Sequence, residues 1–331
     1  MINLDTDGLT QRVIGEIAGV SPATVSRHIA NNKHRPLELG NQKNFRYPVA
    51  VARQVVEEAA NINKNVAKKR QCYYNFKGGV GKTSLCFQVS SHIALMGYNV
   101  LVIDADPQGH LSTSCGFQTH DNHLTLYDKI VNGAKWKDII KPIFPGYDCV
   151  PANLSLTRLE VDINSMPKRE ERLSMELGEI EDQYDFIFID TNPTISHLNR
   201  NIVNYSDMIN IVCETQPYSL NGLKLLTEDL DVFFSHMHLP PKPIHIIPNK
   251  YEDRASSSAE AMTVLREYYG QHIKPDFAIR KSEEINTSAK LGKPLAFFTK
   301  KNSIAFSHIM ELVRYTVETS IQHEEKSNEK H

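Results

Sequence analysis

Residues 75–84, NFKGGVGKTS, have the composition of a phosphate-binding loop. Gly81, Lys82 and Thr83 match the end of the pattern G-x-x-x-x-G-K-[ST], although Phe76 occupies the position of its first glycine. Glycines let backbone N–H groups face phosphate oxygens, and the start of a following helix adds the positive end of its dipole. Lysine suits the β- and γ-phosphates, and a threonine hydroxyl suits Mg²⁺. We therefore predict a nucleotide site formed by Gly78, Gly79, Val80, Gly81, Lys82, Thr83 and Ser84.

The elements around this loop are predicted to form a parallel sheet. QCYYNF (71–76) reads as a buried strand before the loop, and residues 83–96 read as a helix after it. Further apolar runs rich in β-branched residues, with helical stretches at 219–234 and 255–269, indicate a mostly parallel sheet flanked by helices. These strand-like runs are YNVLVIDAD, YDFIFID (184–190), DMINIVCE (207–214) and PIHIIPNK (243–250). The predicted fold class is α/β.

Aspartates stand at the ends of two of these predicted strands. Asp104 and Asp106 follow VLVI, and Asp190 ends YDFIFID. A carboxylate that is buried at a strand end needs a compensating charge, and Mg²⁺ together with nucleotide phosphates supplies one. The aspartates are therefore a second indication of a nucleotide site at this edge of the sheet.

These segments resemble the ParA/MinD family of P-loop ATPases. KGGVGKTS is similar to the family's deviant Walker A motif K-G-G-x-G-K-[ST], VLVIDADPQGH to its switch motif, and YDFIFIDTNPT to its Walker B strand. TQPYSLNGLKLL, IIPNKYED and FAIRKSEEINTSAKLGKPL resemble later family segments, so the resemblance covers roughly residues 71–320. Asn192 departs from the pattern, because the family usually has a second proline there.

The resemblance implies an ATPase of weak intrinsic activity that uses ATP or ADP and Mg²⁺. It implies that Lys77 reaches across an ATP-bound homodimer to a phosphate of the partner's nucleotide. A cation supplied in this way would stabilise transition-state charge as an arginine finger does. The other implied roles are phosphate contact for Lys82, positioning of the attacking water for Asp106, Mg²⁺ binding for Thr83, Asp104 and Asp190, and contact with the adenine ring for Asn249.

The N-terminal segment IGEIAGVSPATVSRHIANN resembles the helix-turn-helix of bacterial repressors. Gly19 suits the turn, Ser21 is a good N-cap, and NNKHRPLELGNQKNFRYP behind it is a candidate wing or loop. Residues 1–70 carry a net charge of +5 and the remainder −7, which favours a polyanion-binding module. A small helical docking domain is the alternative. The expected DNA contacts are Ser21, Ala23, Thr24, Arg27 and His28 in the major groove, with Lys33, His34, Arg35, Lys43 and Arg46 on phosphates.

The resemblance to the ParA/MinD family implies a second, non-specific DNA surface, predicted in the basic segment 271–301 through Arg280, Lys281 and Lys290. For each of these residues a merely solvated position is the alternative. The predicted organisation is a helix-turn-helix domain with a possible wing at 1–60, a linker at 61–70, a ParA-type ATPase domain at 71–322 and a disordered polar tail at 323–331.

Composition disfavours two related classes of protein. The five cysteines are scattered without a CxxC pair, which argues against an Fe–S carrier like the nitrogenase iron protein and favours reduced thiols in the cytoplasm. No apolar run approaches the roughly 20 residues of a membrane helix. The helix predicted at 303–322 contains one arginine, so it does not match the basic amphipathic helix of a MinD-like membrane ATPase.

The leading hypothesis is a nucleoid-associated partition ATPase of ParA type that acts on a plasmid or a chromosome. It would form an ATP-sandwich dimer on non-specific DNA, respond to a ParB-type centromere-binding partner, and bind and repress its own operator through the helix-turn-helix. The alternative is an ATP-gated transcriptional regulator that has no transport role.

Overall fold

The computed structural model describes residues 2–38, 45–118 and 120–322. In the N-terminal part, three helices pack against one another beside a two-stranded antiparallel sheet. These elements are β1 (Leu9–Thr10), α1 (Gln11–Ala18), α2 (Pro22–Asn31), β2 (Arg46–Tyr47) and α3 (Val49–Ala60).

Local sequence explains how α1 and α2 are joined. Helix α1 ends at Gly19, whose φ of 69° is favourable for glycine. Helix α2 begins after Ser21, whose side chain accepts a hydrogen bond from Thr24 N. A Cβ at Gly15 would lie 2.9 Å from Val20 O, so glycine permits this tight approach.

The segment predicted as a wing is described at its two flanks, 31–38 and 45–48, and a hydrogen bond from Leu37 N to Arg46 O at 2.7 Å joins them. Its described strand, β2, pairs with β1 at the start of the chain, with Leu9 opposite Tyr47. The pairing brings buried Leu9 and Tyr47 into the apolar core of the three helices. Residues 39–44, which lie within the predicted wing, fall outside the described residues, as does the predicted tail at 323–331.

The rest of the described chain forms a seven-stranded sheet with helices on both faces. The strand order is β5-β6-β4-β7-β3-β8-β9, and every neighbouring pair is parallel except β5 with β6. Short 3₁₀ turns occupy 181–183, 270–272 and 295–297. The elements are β3 (Arg70–Tyr74), α4 (Lys82–Leu95), β4 (Val100–Ala105), α5 (His110–Ser114), α6 (Leu126–Ile130), α7 (Trp136–Ile139), β5 (Lys141–Phe144), β6 (Tyr147–Val150), α8 (Leu156–Ser165), α9 (Arg172–Leu177), β7 (Phe186–Thr191), α10 (His197–Tyr205), β8 (Met208–Glu214), α11 (Pro217–His236), β9 (Ile244–Asn249), α12 (Ser256–Tyr269), α13 (Glu283–Leu291) and α14 (Ile304–Ser320).

The predicted mostly parallel sheet with flanking helices is confirmed. The five predicted strands correspond to β3, β4, β7, β8 and β9, with ends that differ by at most two residues. Their apolar runs are continuous because both faces of the sheet are covered. The β5–β6 hairpin is not predicted from the sequence, because its strands have four residues each and one contains Pro142.

The N-terminal helices and the large sheet share one apolar core. Buried residues of α1, α2 and α3 belong to the same cluster as those of α4 and α14. The segment predicted as a linker is attached as well, because Ala67 N and Lys68 N donate to Ser320 O at the end of α14. The two parts are therefore packed against each other in the described structure.

Arg53 of α3 fixes this packing by capping the carboxyl end of α4. Its guanidinium donates to the carbonyls of Ala94, Gly97 and Tyr98, and the Tyr98 contact is 2.9 Å long. We expect Arg53→Met to lower the free energy of unfolding by about 1.5–3 kcal/mol, because charged hydrogen bonds to buried carbonyls are lost. Urea denaturation measures this effect, with the exposed Arg27→Met as control. Equal stability of the two variants would contradict the capping role.

Candidate nucleotide-binding site

The glycine-rich loop connects the end of β3 to the start of α4. Gly79 and Gly81 have φ values of 75° and 98°. Asn75 anchors the loop, because its Nδ2 donates to Val212 O at 2.7 Å and its Oδ1 accepts from Lys77 N at 2.9 Å. The first amides of a helix have no acceptor within the helix. The loop and the start of α4 therefore present N–H groups that suit phosphate oxygens.

Lys82 and Thr83 lie beside Asp190 near the end of β7. Thr83 Oγ1 donates to Asp190 Oδ2 at 2.6 Å, while Asp190 Oδ1 is buried without a hydrogen-bond partner among the described residues. Burial, reinforced by the charge of Asp104, raises the pKa of Asp190 well above its usual value. Burial lowers the pKa of Lys82, against the charges of Asp190 and Asp106. An unpartnered carboxylate oxygen next to a hydroxyl is a donor set that fits Mg²⁺.

Asp104 organises the turn that carries Asp106. Asp104 Oδ1 accepts from Asp106 N at 3.0 Å, and its Oδ2 accepts from the amide and hydroxyl of Ser112 at 2.7 and 2.6 Å. Burial raises the pKa of Asp104 to about 6, against these hydrogen bonds. Asp106 Oδ1 accepts from Gln108 N at 2.9 Å. Both Asp104 oxygens thus already have protein partners, whereas the Asp106 Oδ2 atom has none among the described residues.

Two neighbouring cavities share Gly81 and Ser84. The larger, of about 590 Å³, is lined by Gly78, Gly79, Gly81, Lys82, Thr83, Ser84, Asp106, Gln108, His110, Thr113, Ser114, Pro193, Ala289 and Lys290. The smaller, of about 250 Å³, is lined by Gly81, Ser84, Leu85, Glu214, Gln216, Asn249, Lys250, Glu252, Arg280, Lys281, Ser282, Ile285 and Asn286. The predicted phosphate-binding residues other than Val80 thus line the first cavity, and Asn249 lines the second. The side chain of Val80 is buried.

The side chain of Asn249 supports the glycine-rich loop through a hydrogen bond. Its Nδ2 donates to Val80 O at 2.8 Å, and a Cβ at Gly81 would lie 2.4 Å from the same nitrogen.

We expect Gly81→Ala to lower the free energy of unfolding by about 1–3 kcal/mol, because the positive φ of Gly81 and the clash with Asn249 both strain the loop. Gly78→Ala is the matched control, since a Cβ there meets nothing within 4 Å. Urea denaturation without nucleotide checks the prediction, and equal losses would contradict it.

Lys77 lies at the edge of the loop and does not line the larger cavity. Its Nζ donates to Glu214 Oε2 at 2.6 Å and to Ser219 Oγ at 3.1 Å. Lys250 Nζ donates to Glu214 Oε1 at 2.8 Å and to Gly79 O at 2.5 Å. Glu214, Ser219 and Lys250 were not among the residues predicted for the site. The signal that could have found Glu214 is its place at the end of a predicted strand, as for Asp190.

The profile of the AAA domain family matches residues 68–239, just over half of the chain. The chain belongs to the AAA domain family. Its relatives include the cell division protein PomZ of Myxococcus xanthus, 27% identical over 289 residues that cover 86% of each protein. The chromosome partitioning protein ParA of Caulobacter vibrioides is 27% identical over 230 residues, which cover 69% of this chain and 86% of the relative. Together they identify a ParA-type P-loop ATPase, and the prediction of an ATPase is confirmed.

A solved structure supports the fold of this ATPase. The structure of a Cyanothece McdA–ATP complex superposes on this chain with a TM-score of 0.68 and 20% sequence identity. The match covers 78% of this chain and 98% of the McdA chain. Within the described residues of the ATPase, no three His, Cys, Asp or Glu side chains are grouped as metal ligands. No described helix has the length and apolar composition needed to span a membrane.

The residues of α2 predicted to contact DNA differ in availability. Ser21, Ala23 and Arg27 are exposed, and Arg27 has no side-chain partner among the described residues. Thr24 is half-buried and its hydroxyl lies 3.0 Å from that of Ser21, so both take part in the helix cap. His28 is also half-buried, with Nδ1 3.5 Å from Glu58 Oε2. The structure thus leaves Arg27 as the free cation of this helix.

The predicted phosphate-binding residues around α2 are also divided. Lys33 and Arg35 are exposed. Arg46 is engaged inside the protein, because its Nη1 donates to the carbonyls of Gly8 and Phe297, at 2.8 Å each. Lys43 lies outside the described residues. Arg46 therefore contributes to the contact between the N-terminal helices and the ATPase core.

The basic residues predicted in the C-terminal segment line the two cavities. Arg280 pairs with Asp253 at 2.8 Å, and Lys281 pairs with Glu252 at 3.1 Å. Lys290 is exposed and lines the larger cavity. Exposed ion pairs contribute little to stability, so these side chains can exchange their partners for phosphate groups at low cost.

Proposed function

We propose that this ATPase is a partition ATPase that binds ATP with Mg²⁺, dimerises and binds DNA. The observation that carries the proposal is the glycine-rich loop with two lysines in different settings. Lys82 is buried beside Asp190, whereas the side chain of Lys77 is 42% exposed at the loop edge. One lysine suits the nucleotide of its own subunit, and the other is accessible to a second subunit.

The residues of the site fit a nucleotide with Mg²⁺. Thr83 Oγ1 and Asp190, directly or through water, would hold the ion, and Asp104 would act on it through the turn that it organises. Bound Mg²⁺ would neutralise phosphate charge. Lys82 and the loop amides would bind the phosphates, and Asn249, in the smaller cavity, would contact the base. Asp106 would orient the attacking water in the larger cavity, where it is held by Gln108 N.

The dimer we propose is an ATP sandwich. Each subunit would supply Lys77 to the nucleotide of the other, so that dimer stability depends on the γ-phosphate. Hydrolysis removes that contact and separates the subunits. A ParB-type centromere-binding protein would stimulate this step. The relatives named for chromosome partitioning and cell division support this role.

For the N-terminal helices we propose operator binding by a helix-turn-helix and repression of the protein's own operon. Arg27 would read a base or a phosphate, with Lys33 and Arg35 on the flanking backbone. Arg280, Lys281 and Lys290 would contribute to non-specific binding to nucleoid DNA in the ATP-bound dimer. The tight packing of α3 on α4 favours a nucleotide effect on operator binding, since the helix that begins at Lys82 ends against Arg53.

The test measures DNA binding by the purified protein to its own promoter fragment and to random DNA. The four nucleotide states are none, ADP, ATP and a slowly hydrolysed ATP analogue, each at two salt concentrations. We expect ATP to promote binding to random DNA and ADP to favour the promoter. If only promoter binding responds to nucleotide and random DNA is never bound, the partition role is contradicted and an ATP-gated transcriptional regulator takes its place.

A further inference from the structure

Glu214 joins two lysines of the nucleotide site from the end of β8. Its carboxylate is only 12% exposed and accepts from Lys77 Nζ through one oxygen and from Lys250 Nζ through the other, at 2.6 and 2.8 Å. Burial raises the pKa of Glu214, but the hydrogen bonds from Lys250 and Lys77 lower it and prevail, so the net pKa is below its usual value. The carboxylate is therefore ionised and is shared by two cations.

Each lysine has one further acceptor, and the two side chains are exposed to similar extents, 42% for Lys77 and 40% for Lys250. Lys250, directly after β9, also donates to Gly79 O, so it joins the loop to Glu214 at the end of β8. The second acceptor of Lys77 is Ser219 Oγ. If the Lys77 ammonium leaves, Glu214 still has Lys250 as its counter-ion. The exchange therefore leaves no unpaired charge at this mostly buried position. An unpaired buried charge is what makes breaking such a pair costly.

The backbone of Lys77 is held separately from its side chain. Lys77 N donates to Asn75 Oδ1 at 2.9 Å, and Asn75 in turn is anchored on β8 through Val212 O. Release of the ammonium from Glu214 thus needs a change of side-chain rotamer and does not require the loop to move.

We propose that Glu214 is a positioning residue that retains the Lys77 ammonium within its own subunit until a second ATP-bound copy of the chain offers a phosphate in exchange. This inference rests on the proposed role of Lys77 across the dimer. Glu214 competes with the partner's nucleotide for one cation, so it weakens the dimer and sets the concentration at which the dimer forms.

The test compares dimer dissociation constants in the presence of a slowly hydrolysed ATP analogue, measured by analytical ultracentrifugation. We expect Glu214→Gln to tighten the dimer about three- to tenfold, because the competing charge is removed. Glu228→Gln is the matched control, since it removes an exposed carboxylate that pairs with Lys224 and lines neither of the two cavities. We expect that control to match the wild type.

A second background separates retention of Lys77 from a general effect of charge. In Lys77→Ala protein, Glu214→Gln is expected to leave the dissociation constant unchanged. An effect that persists in this background, or an equal effect of Glu228→Gln, overturns the proposal. Ser219→Ala removes only the second acceptor of Lys77 and should tighten the dimer in the same direction, which keeps the test decisive if Glu214→Gln does not fold.

Failure of this inference can be distinguished from failure of the proposed function. If the wild-type protein does not dimerise with the ATP analogue, the proposed ATP-sandwich dimer is wrong. If the wild type dimerises and Glu214→Gln has the same dissociation constant, only the role of Glu214 is wrong.

Discussion

Replacement of Lys77 by alanine is expected to lower ATP turnover by a factor of about 10³–10⁵, the range for loss of an arginine finger. The affinity of the monomer for ATP should stay near that of the wild type, because Lys77 contacts Glu214 of its own subunit and does not line the larger cavity, which contains the predicted phosphate-binding residues. Steady-state hydrolysis and equilibrium binding of a fluorescent ATP analogue measure the two quantities. Lys224→Ala, an exposed lysine of α11, is the control.

Subunit mixing decides whether Lys77 acts on the partner's nucleotide. Lys77→Ala and Asp106→Asn proteins are each inactive by prediction, but a mixed dimer contains one complete site if Lys77 acts across the interface. An equimolar mixture should then recover about one quarter of the wild-type turnover, because half of randomly assorted two-fold dimers are mixed. If the mixture is as inactive as its components, and each variant binds ATP like the wild type, then Lys77 acts within its own subunit or takes no part in hydrolysis. Wild-type turnover by Lys77→Ala alone would rule out the assignment.

Replacement of Asp106 by asparagine is expected to lower turnover by about 10²–10⁴-fold, the usual contribution of a positioned acid–base group. Asparagine has the same shape and its side-chain oxygen can still accept from Gln108 N, so the turn should keep its structure. ATP binding should persist, and the ATP-bound dimer should accumulate because it is hydrolysed slowly. Single-turnover hydrolysis and sedimentation measure these effects.

The control for Asp106→Asn is Asp138→Asn, which neutralises an exposed aspartate of α7. It should hydrolyse ATP like the wild type. Turnover by Asp106→Asn within about threefold of the wild type would contradict a role in orienting water. Loss of ATP binding in the same variant would instead assign Asp106 to nucleotide binding.

The sequence by itself determined the parts of this protein whose chemistry is local. Gly79, Gly81 and Lys82 are close in sequence, and the turn depends on positive φ angles at Gly79 and Gly81 that glycine adopts readily. The strands could be predicted as well, because burial on both faces requires long apolar runs. The loop and strand segments also carry the resemblance to ParA-type ATPases. They lie in the part of the chain that the AAA domain family matches, which is why the ATPase prediction could be confirmed.

Only the tertiary structure decided which distant residues meet. Lys77, Glu214 and Lys250 come from three segments, and they meet because β3, β8 and β9 are neighbours whose carboxyl ends share one edge of the sheet. Strand order depends on crossover connections, which apolar patterns do not encode. Arg46 shows the same limit, because a basic residue that suits DNA in the sequence can equally bind carbonyl groups of its own protein, as Arg46 does. Which of these it does depends on the surface packed against it.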